Sequence, residues 1–161
     1  MKTAVFAGTF DPITIGHEYV INKTLESFDK VIVVVADNDR KTPLFTCDER
    51  YTFIKKIYKD NPAVEVEIYH GLMMDFMKER SLTHYIRGIR NDTDLSYEKK
   101  MLDFNKSVYP SLITVFIYSP ERFSMVTSTA VRDSHDAETV ISAVSPVIVK
   151  DVLKRLSEKQ G

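Results

Sequence analysis

A single cysteine, Cys47, among 161 residues excludes an internal disulfide and any cysteine-built zinc site. Neither sign of charge is in surplus: 22 lysines and arginines stand against 23 aspartates and glutamates, a formal net charge of −1. That balance excludes a broad attraction to nucleic acid or to an anionic membrane, so any phosphate must be met by a local cluster of cations. No apolar run reaches the length of a membrane span. The N-terminus breaks at Gly8 and Asp11-Pro12 too early for a signal peptide, and a cytoplasmic protein is expected. His70, His84 and His135 lack metal-ligand spacing, and nothing suggests a nucleophile–base triad. A Walker phosphate loop is excluded because Gly8 has no following glycine–lysine pair at the required distance. No linker, repeat or low-complexity tract divides the chain. What remains is an ordinary globular composition, 43% hydrophobic and 28% charged, sized for one domain over residues 1–161.

Five apolar runs read as strands: Thr3–Ala7, Val31–Ala36, Val64–Ile68, Thr83–Ile86 and Ile113–Tyr118. The run from Val31 to Val35 is continuously β-branched, as suits a central parallel strand covered on both faces. Helical patterns alternate with them over Ile15–Phe28, Asp48–Asp60, Leu72–Ser81 and Leu95–Val108. Thr46-Cys47-Asp48-Glu49 has the form of a capping box and marks the second helix start. Shorter helical pieces follow near Ser128–Ser134 and Pro146–Glu158. Alternation of this kind predicts an α/β fold: a Rossmann-like, doubly wound, five-stranded parallel sheet flanked by helices, with short C-terminal helices.

In such sheets ligands sit outside the carboxyl ends of the strands, and every predicted strand end here carries something unusual. The first delivers Gly8-Thr9-Phe10-Asp11-Pro12 and then Gly16-His17. A glycine-bounded crossing from strand to helix offers unpaired N–H groups and the positive end of a helix dipole to an anion. His17 adds a side-chain donor in the first turn, and Thr9 a hydroxyl from across it. Lys41 follows the second strand, in a loop held by Pro43 and packed by Leu44 and Phe45. Arg87 and Arg90 flank Gly88 after the fourth, where two guanidinium groups can grip phosphate oxygens in bidentate fashion. Thr127-Ser128-Thr129 follow the fifth; three hydroxyls exceed what one helix cap needs, and Arg132 lies one turn on. Residue chemistry alone describes a phosphate cradle and leaves its ligand open, since an enzyme acting on phosphates and a silent nucleotide sensor would need similar groups.

The segment from Gly8 to His17 resembles the phosphate motif of the nucleotidyltransferase superfamily. Further features recur in order: Lys41 before Pro43-Leu44-Phe45, Thr46-x-x-Glu49-Arg50, Gly71-Leu72-Met73, Ile86-Arg87-Gly88-Ile89-Arg90, Asp94-x-x-Tyr97-Glu98 and Thr127-Ser128-Thr129-x-x-Arg132. Together they cover nearly the whole chain and resemble the bacterial phosphopantetheine adenylyltransferase family. That resemblance implies transfer of the adenylyl group of ATP to 4′-phosphopantetheine, giving dephospho-coenzyme A and pyrophosphate, the penultimate step of coenzyme A synthesis. It implies that Thr9, His17, Lys41 and Arg90 act on the reacting phosphates. Thr9, Lys41, Leu72, Met73 and Arg87 would meet phosphopantetheine. Thr9, Phe10, His17, Gly88, Arg90, Glu98, Val126, Thr127, Ser128 and Thr129 would form the ATP site. Mg2+ is expected on the ATP phosphates, with no protein side chain as its ligand. A homohexamer and coenzyme A as a feedback ligand are also implied. The acceptor phosphate is already nucleophilic at neutral pH, so direct in-line attack without a covalent enzyme intermediate is expected.

Overall fold

Val31, Val33 and Val35 turn to one face of a five-stranded sheet, and Ile32 and Val34 to the other. A strand apolar on both faces needs cover on both, and that requirement organises the chain. The computed structural model describes residues 1–37 and 42–160. Strands β1 (Thr3–Gly8), β2 (Lys30–Asp37), β3 (Val64–His70), β4 (His84–Ile89) and β5 (Ile113–Tyr118) lie in the order β3-β2-β1-β4-β5. Every pairing is parallel.

Above the sheet, Ala4, Phe6, Val33 and Ile86 pack against Val20 and Ile21 of α1 (Ile15–Leu25). Phe53 and Ile54 of α2 (Cys47–Ile57) join them, as do Ile148, Val152 and Leu156 of α7 (Pro146–Gln160). Below it, Val5, Ala7, Ile32, Val34 and Tyr85 meet Met74, Phe76 and Met77 of α3 (Met73–Glu79). Helix α4 (Asp92–Val108) fully buries only Glu98. Two short helices, α5 (Ser128–Arg132) and α6 (Ala137–Ala143), precede α7.

Three expectations need revision. Strand β4 does not stop at Ile86: Arg87, Gly88 and Ile89 pair with Phe116, Ile117 and Tyr118, so only Arg90 lies beyond the strand end. Helix α4 starts at Asp92 rather than Leu95, because the Asn91 side chain accepts from the Asp94 N–H and caps it. Helix α6, capped by Asp136, had no counterpart in the sequence pattern, whereas α7 matches the expected Pro146–Glu158 to within two residues.

Candidate active site

Parallel pairing puts every strand end on one rim. The crevice opens between β1 and β4, where the strand order reverses, which is where open α/β sheets receive ligands. A cleft of about 670 Å³ lies there. It is lined by the loop after β1, the start of α1, Arg87, Gly88 and Arg90, the first turns of α4, Ser119, Phe123, and Val126 to Thr129.

Thr14 caps α1 in a capping box whose third helical residue is His17, in place of the usual glutamate or glutamine. The Thr14 backbone N–H donates to His17 Nδ1 at 3.0 Å. A backbone N–H can only donate, so Nδ1 is an acceptor and the neutral ring carries its proton on Nε2. Desolvation, reinforced by the positive charge of Arg90, lowers the imidazole pKa from 6.5 to about 4. Near neutral pH, His17 is therefore an uncharged donor whose Nε2–H has no protein partner among the described residues. Capping occupies Nδ1 and leaves the Nε2–H as a donor on a ring that lines the cleft.

Phe10 supports this ring. Its φ of +51° is a left-handed conformation rare for a phenylalanine, and it stacks edge-to-face on His17 with centroids 5.0 Å apart. Gly8 is what admits it, since a Cβ there would lie 3.2 Å from Phe10 Cζ. Phe10 is almost fully buried and lines the cleft beside His17.

The loop after β1 is braced from three directions. The Asp11 carboxylate accepts from the N–H groups of Leu44 and Phe45, each at 2.9 Å. Buried Arg50 donates to the carbonyls of Thr9, Phe45 and Ala36 at 2.8, 3.0 and 3.3 Å. Arg132 donates to the Asp11 carbonyl at 2.8 Å and to Thr129 Oγ1 at 3.1 Å. Arg132 therefore holds the site together rather than reaching into it. The hydroxyls of residues 127–129 are likewise engaged with protein. Thr127 accepts from the Ala130 N–H, Ser128 donates to the Pro12 carbonyl, and Thr129 receives Arg132. All three residues and Val126 line the cleft, where the first N–H groups of α5 lack intrahelical partners.

Arg87 is held more tightly than a phosphate-gripping arginine requires. Its Nε and Nη2 donate to the two Glu98 oxygens at 3.0 and 2.8 Å, while Nη1 donates to the Ala7 carbonyl and Tyr85 hydroxyl. Burial alone would lower its pKa, but Tyr85 and Glu98 outweigh burial and keep the guanidinium charged. Arg90 pairs with Asp94 through both its backbone N–H and Nε. Gly88 yields its space to a helix rather than to a ligand alone: a Cβ there would sit 3.0 Å from Val20 Cγ2 of α1.

Thr9, Phe10, His17, Arg87, Gly88, Arg90, Glu98, Val126, Thr127, Ser128 and Thr129 thus gather around one cleft. Leu72 and Met73 do not line it: Leu72 is 68% exposed ahead of α3, and Met73 packs against the lower core. Lys41 lies outside the described residues. Sequence reasoning gave no role to Thr93, Tyr97, Ser119 or Phe123, which also line the cleft, nor to Asp11 and Arg50, which brace it.

Solved structures share this fold. A Plasmodium falciparum nicotinic acid mononucleotide adenylyltransferase complexed with NaAD superposes with a TM-score of 0.65 at 15% identity, covering 94% of each chain. A lipopolysaccharide core biosynthesis protein from Thermoplasma volcanium superposes at 0.53 with 20% identity, covering 74% of this chain and 97% of that one. Residues 5–134 match the cytidylyltransferase-like family model, the class of nucleotidyltransferase that fold and cleft define. Phosphopantetheine adenylyltransferases from Clostridium botulinum (strain 657) and Thiobacillus denitrificans are 38% and 35% identical to the chain. Each alignment covers 99% of this chain and 98% of the relative. The chain belongs to the phosphopantetheine adenylyltransferase family.

Proposed function

We propose that the chain transfers the adenylyl group of ATP to 4′-phosphopantetheine, releasing pyrophosphate and forming dephospho-coenzyme A. The observation that carries this reading is one crevice with two chemically different walls. On the α1 side stand the neutral His17 donor, Thr9 and residues 127–129, which suit the nucleotide. On the facing side Arg87, which shares a β4 face with Tyr85 of the lower core, lines the same cleft and suits the phosphate of the acceptor.

The acceptor phosphate attacks the α-phosphorus in line and pyrophosphate leaves. No base is required, so catalysis consists of holding two polyanions in register and stabilising the charge that develops. His17 Nε2–H donates to a phosphate oxygen, a contact worth about 2.7–4 kcal/mol in comparable preorganised sites. Thr9, Lys41 and Arg90 complete the cradle for the reacting phosphates. Glu98 leaves Arg87 or shares it when the acceptor arrives. Magnesium, when bound, neutralises charge between phosphates. An ion entering on the triphosphate would leave Asp94 and Glu98 with the arginines that engage them.

A homohexamer is part of the proposal. Tyr97, Met101, Phe104 and Val108 form one exposed apolar stripe on α4, beside the open edge strand β5 with exposed Ile113 and Tyr118. Coenzyme A, which bears the same pantetheine arm, competes at the acceptor wall, and the reaction takes place in the cytoplasm.

Incubating the protein with magnesium-ATP and a panel of phosphorylated acceptors, while measuring pyrophosphate release, tests the reading. Release with 4′-phosphopantetheine alone is expected. Release with nicotinate mononucleotide instead reassigns the acceptor, and ATP binding without turnover on any acceptor makes the chain a sensor. Sedimentation analysis checks the hexamer, and an adenylated protein trapped during turnover would overturn direct transfer.

A further inference from the structure

Four of the five N–H groups of Arg87 are already committed. One edge of the guanidinium faces Glu98, and Nη1 donates to the Ala7 carbonyl at 3.2 Å and to the Tyr85 hydroxyl at 3.3 Å. An arriving phosphate competes with the Glu98 carboxylate, because both are anions suited to the same fork. When Glu98 gives way, the two Nη1 contacts are what still hold the guanidinium plane. The Ala7 carbonyl belongs to a strand of the sheet and cannot move. Tyr85 is the side-chain partner.

Tyr85 is unusual for its place. It is 7% exposed, on the lower face of β4, within a cluster of Val5, Ala7, Ile32, Val34, Met74 and Met77. A phenylalanine would fill that space with no polar atom to satisfy. The hydroxyl reaches only Arg87 among the described residues, and the guanidinium carbon lies 5.5 Å from the ring centroid, so ring and hydroxyl act on the same cation. We propose that Tyr85 is a positioning residue for the acceptor's phosphate, acting through Arg87. This rests on the assignment of Arg87 to the acceptor wall given above.

A double-mutant cycle of Tyr85→Phe and Arg87→Ala tests it, with KM for 4′-phosphopantetheine, KM for ATP, kcat and thermal midpoint measured on all four proteins. Tyr85→Phe keeps the packed ring and removes one hydrogen bond. It is expected to raise the acceptor KM about threefold to tenfold, leaving ATP KM and the midpoint unchanged. In the Arg87→Ala background the same change is expected to do nothing. An effect of Tyr85→Phe that persists without Arg87, or that moves both KM values together with the midpoint, overturns the proposal and makes Tyr85 a packing residue. No effect in the wild-type background overturns it as well. Arg87→Ala raising only the ATP KM shows instead that the acceptor wall was misassigned, and with it the substrate that Tyr85 is proposed to serve.

Discussion

Arg132, in the last turn of α5, donates to the backbone carbonyl of Asp11, 121 positions earlier in the chain, at 2.8 Å. One guanidinium thereby ties the loop after β1 to the hydroxyl-rich segment after β5, and the Asp11 carboxylate carries the tie on to Leu44 and Phe45. Three stretches far apart in the chain are braced as one unit.

Arg132→Ala is expected to lower stability by about 2 kcal/mol, the order of one part-buried hydrogen bond from a charged donor with a weaker exposed one beside it, and to lower kcat. Denaturant unfolding and steady-state kinetics check this together. A large rise in ATP KM with unchanged stability would show that the side chain grips phosphate directly.

For His17, the tautomer and the low pKa lead to a titration and a kinetic result. An NMR titration of the free protein is expected to give a midpoint of about 4, with Nε2 protonated above it. The unfolded chain takes up this proton near pH 6.5, so the group's contribution to stability is complete above that value and is lost as pH falls toward 4. His17→Ala is expected to reduce kcat by about 10²–10³ while ATP KM changes little.

Glu18 presents the opposite case. Its Oε2 is buried without a partner among the described residues, and desolvation raises the carboxyl from 4.5 to about 7. The folded protein therefore holds this proton where the unfolded chain has lost it. The cost of the charge grows between pH 4.5 and 7 and is complete above that. Glu18→Gln is expected to raise the thermal midpoint by roughly 2–4 °C at pH 8 and to leave it unchanged at acid pH, where the carboxyl is already neutral. Calorimetry at the two pH values decides it.

Gly88→Ala forces a methyl to within 3.0 Å of Val20 Cγ2. Overpacking of this kind costs about 1–3 kcal/mol. Val20→Ala in the same background is expected to restore part of the loss, because it removes the contacted methyl. Non-additivity of the two stability changes is the measurement.

Most of the sheet was legible because β-branched runs and capping signals are local. β2 is the clearest example: its valines need burial on both faces whatever surrounds them. β4 was not, because Arg87 and Gly88 look like a strand end until Phe116 and Ile117 pair with them. Helix α6 was hidden for another reason: seven residues give too short a periodic pattern to separate from a loop. Among candidate site residues, His17 was recognisable from its setting just after a glycine in the first turn of a helix. Its tautomer was not, since that depends on a backbone N–H aimed at Nδ1. Leu72 and Met73 show the converse: they belong to the right motif, yet their side chains do not line the cleft.

Local chemistry in the chain was enough to specify alternating strands and helices, one rim of strand ends and the residue types gathered on it. These follow from burial demand, caps and short-range spacing, which act over a few positions. Packing alone decided which of those groups are already spoken for: Arg87 by Glu98 and Tyr85, Ser128 by Pro12, Arg132 by Asp11. Each of those partnerships depends on how two distant segments cross, and a hydrogen bond a few ångströms long reports that crossing rather than the order of residues.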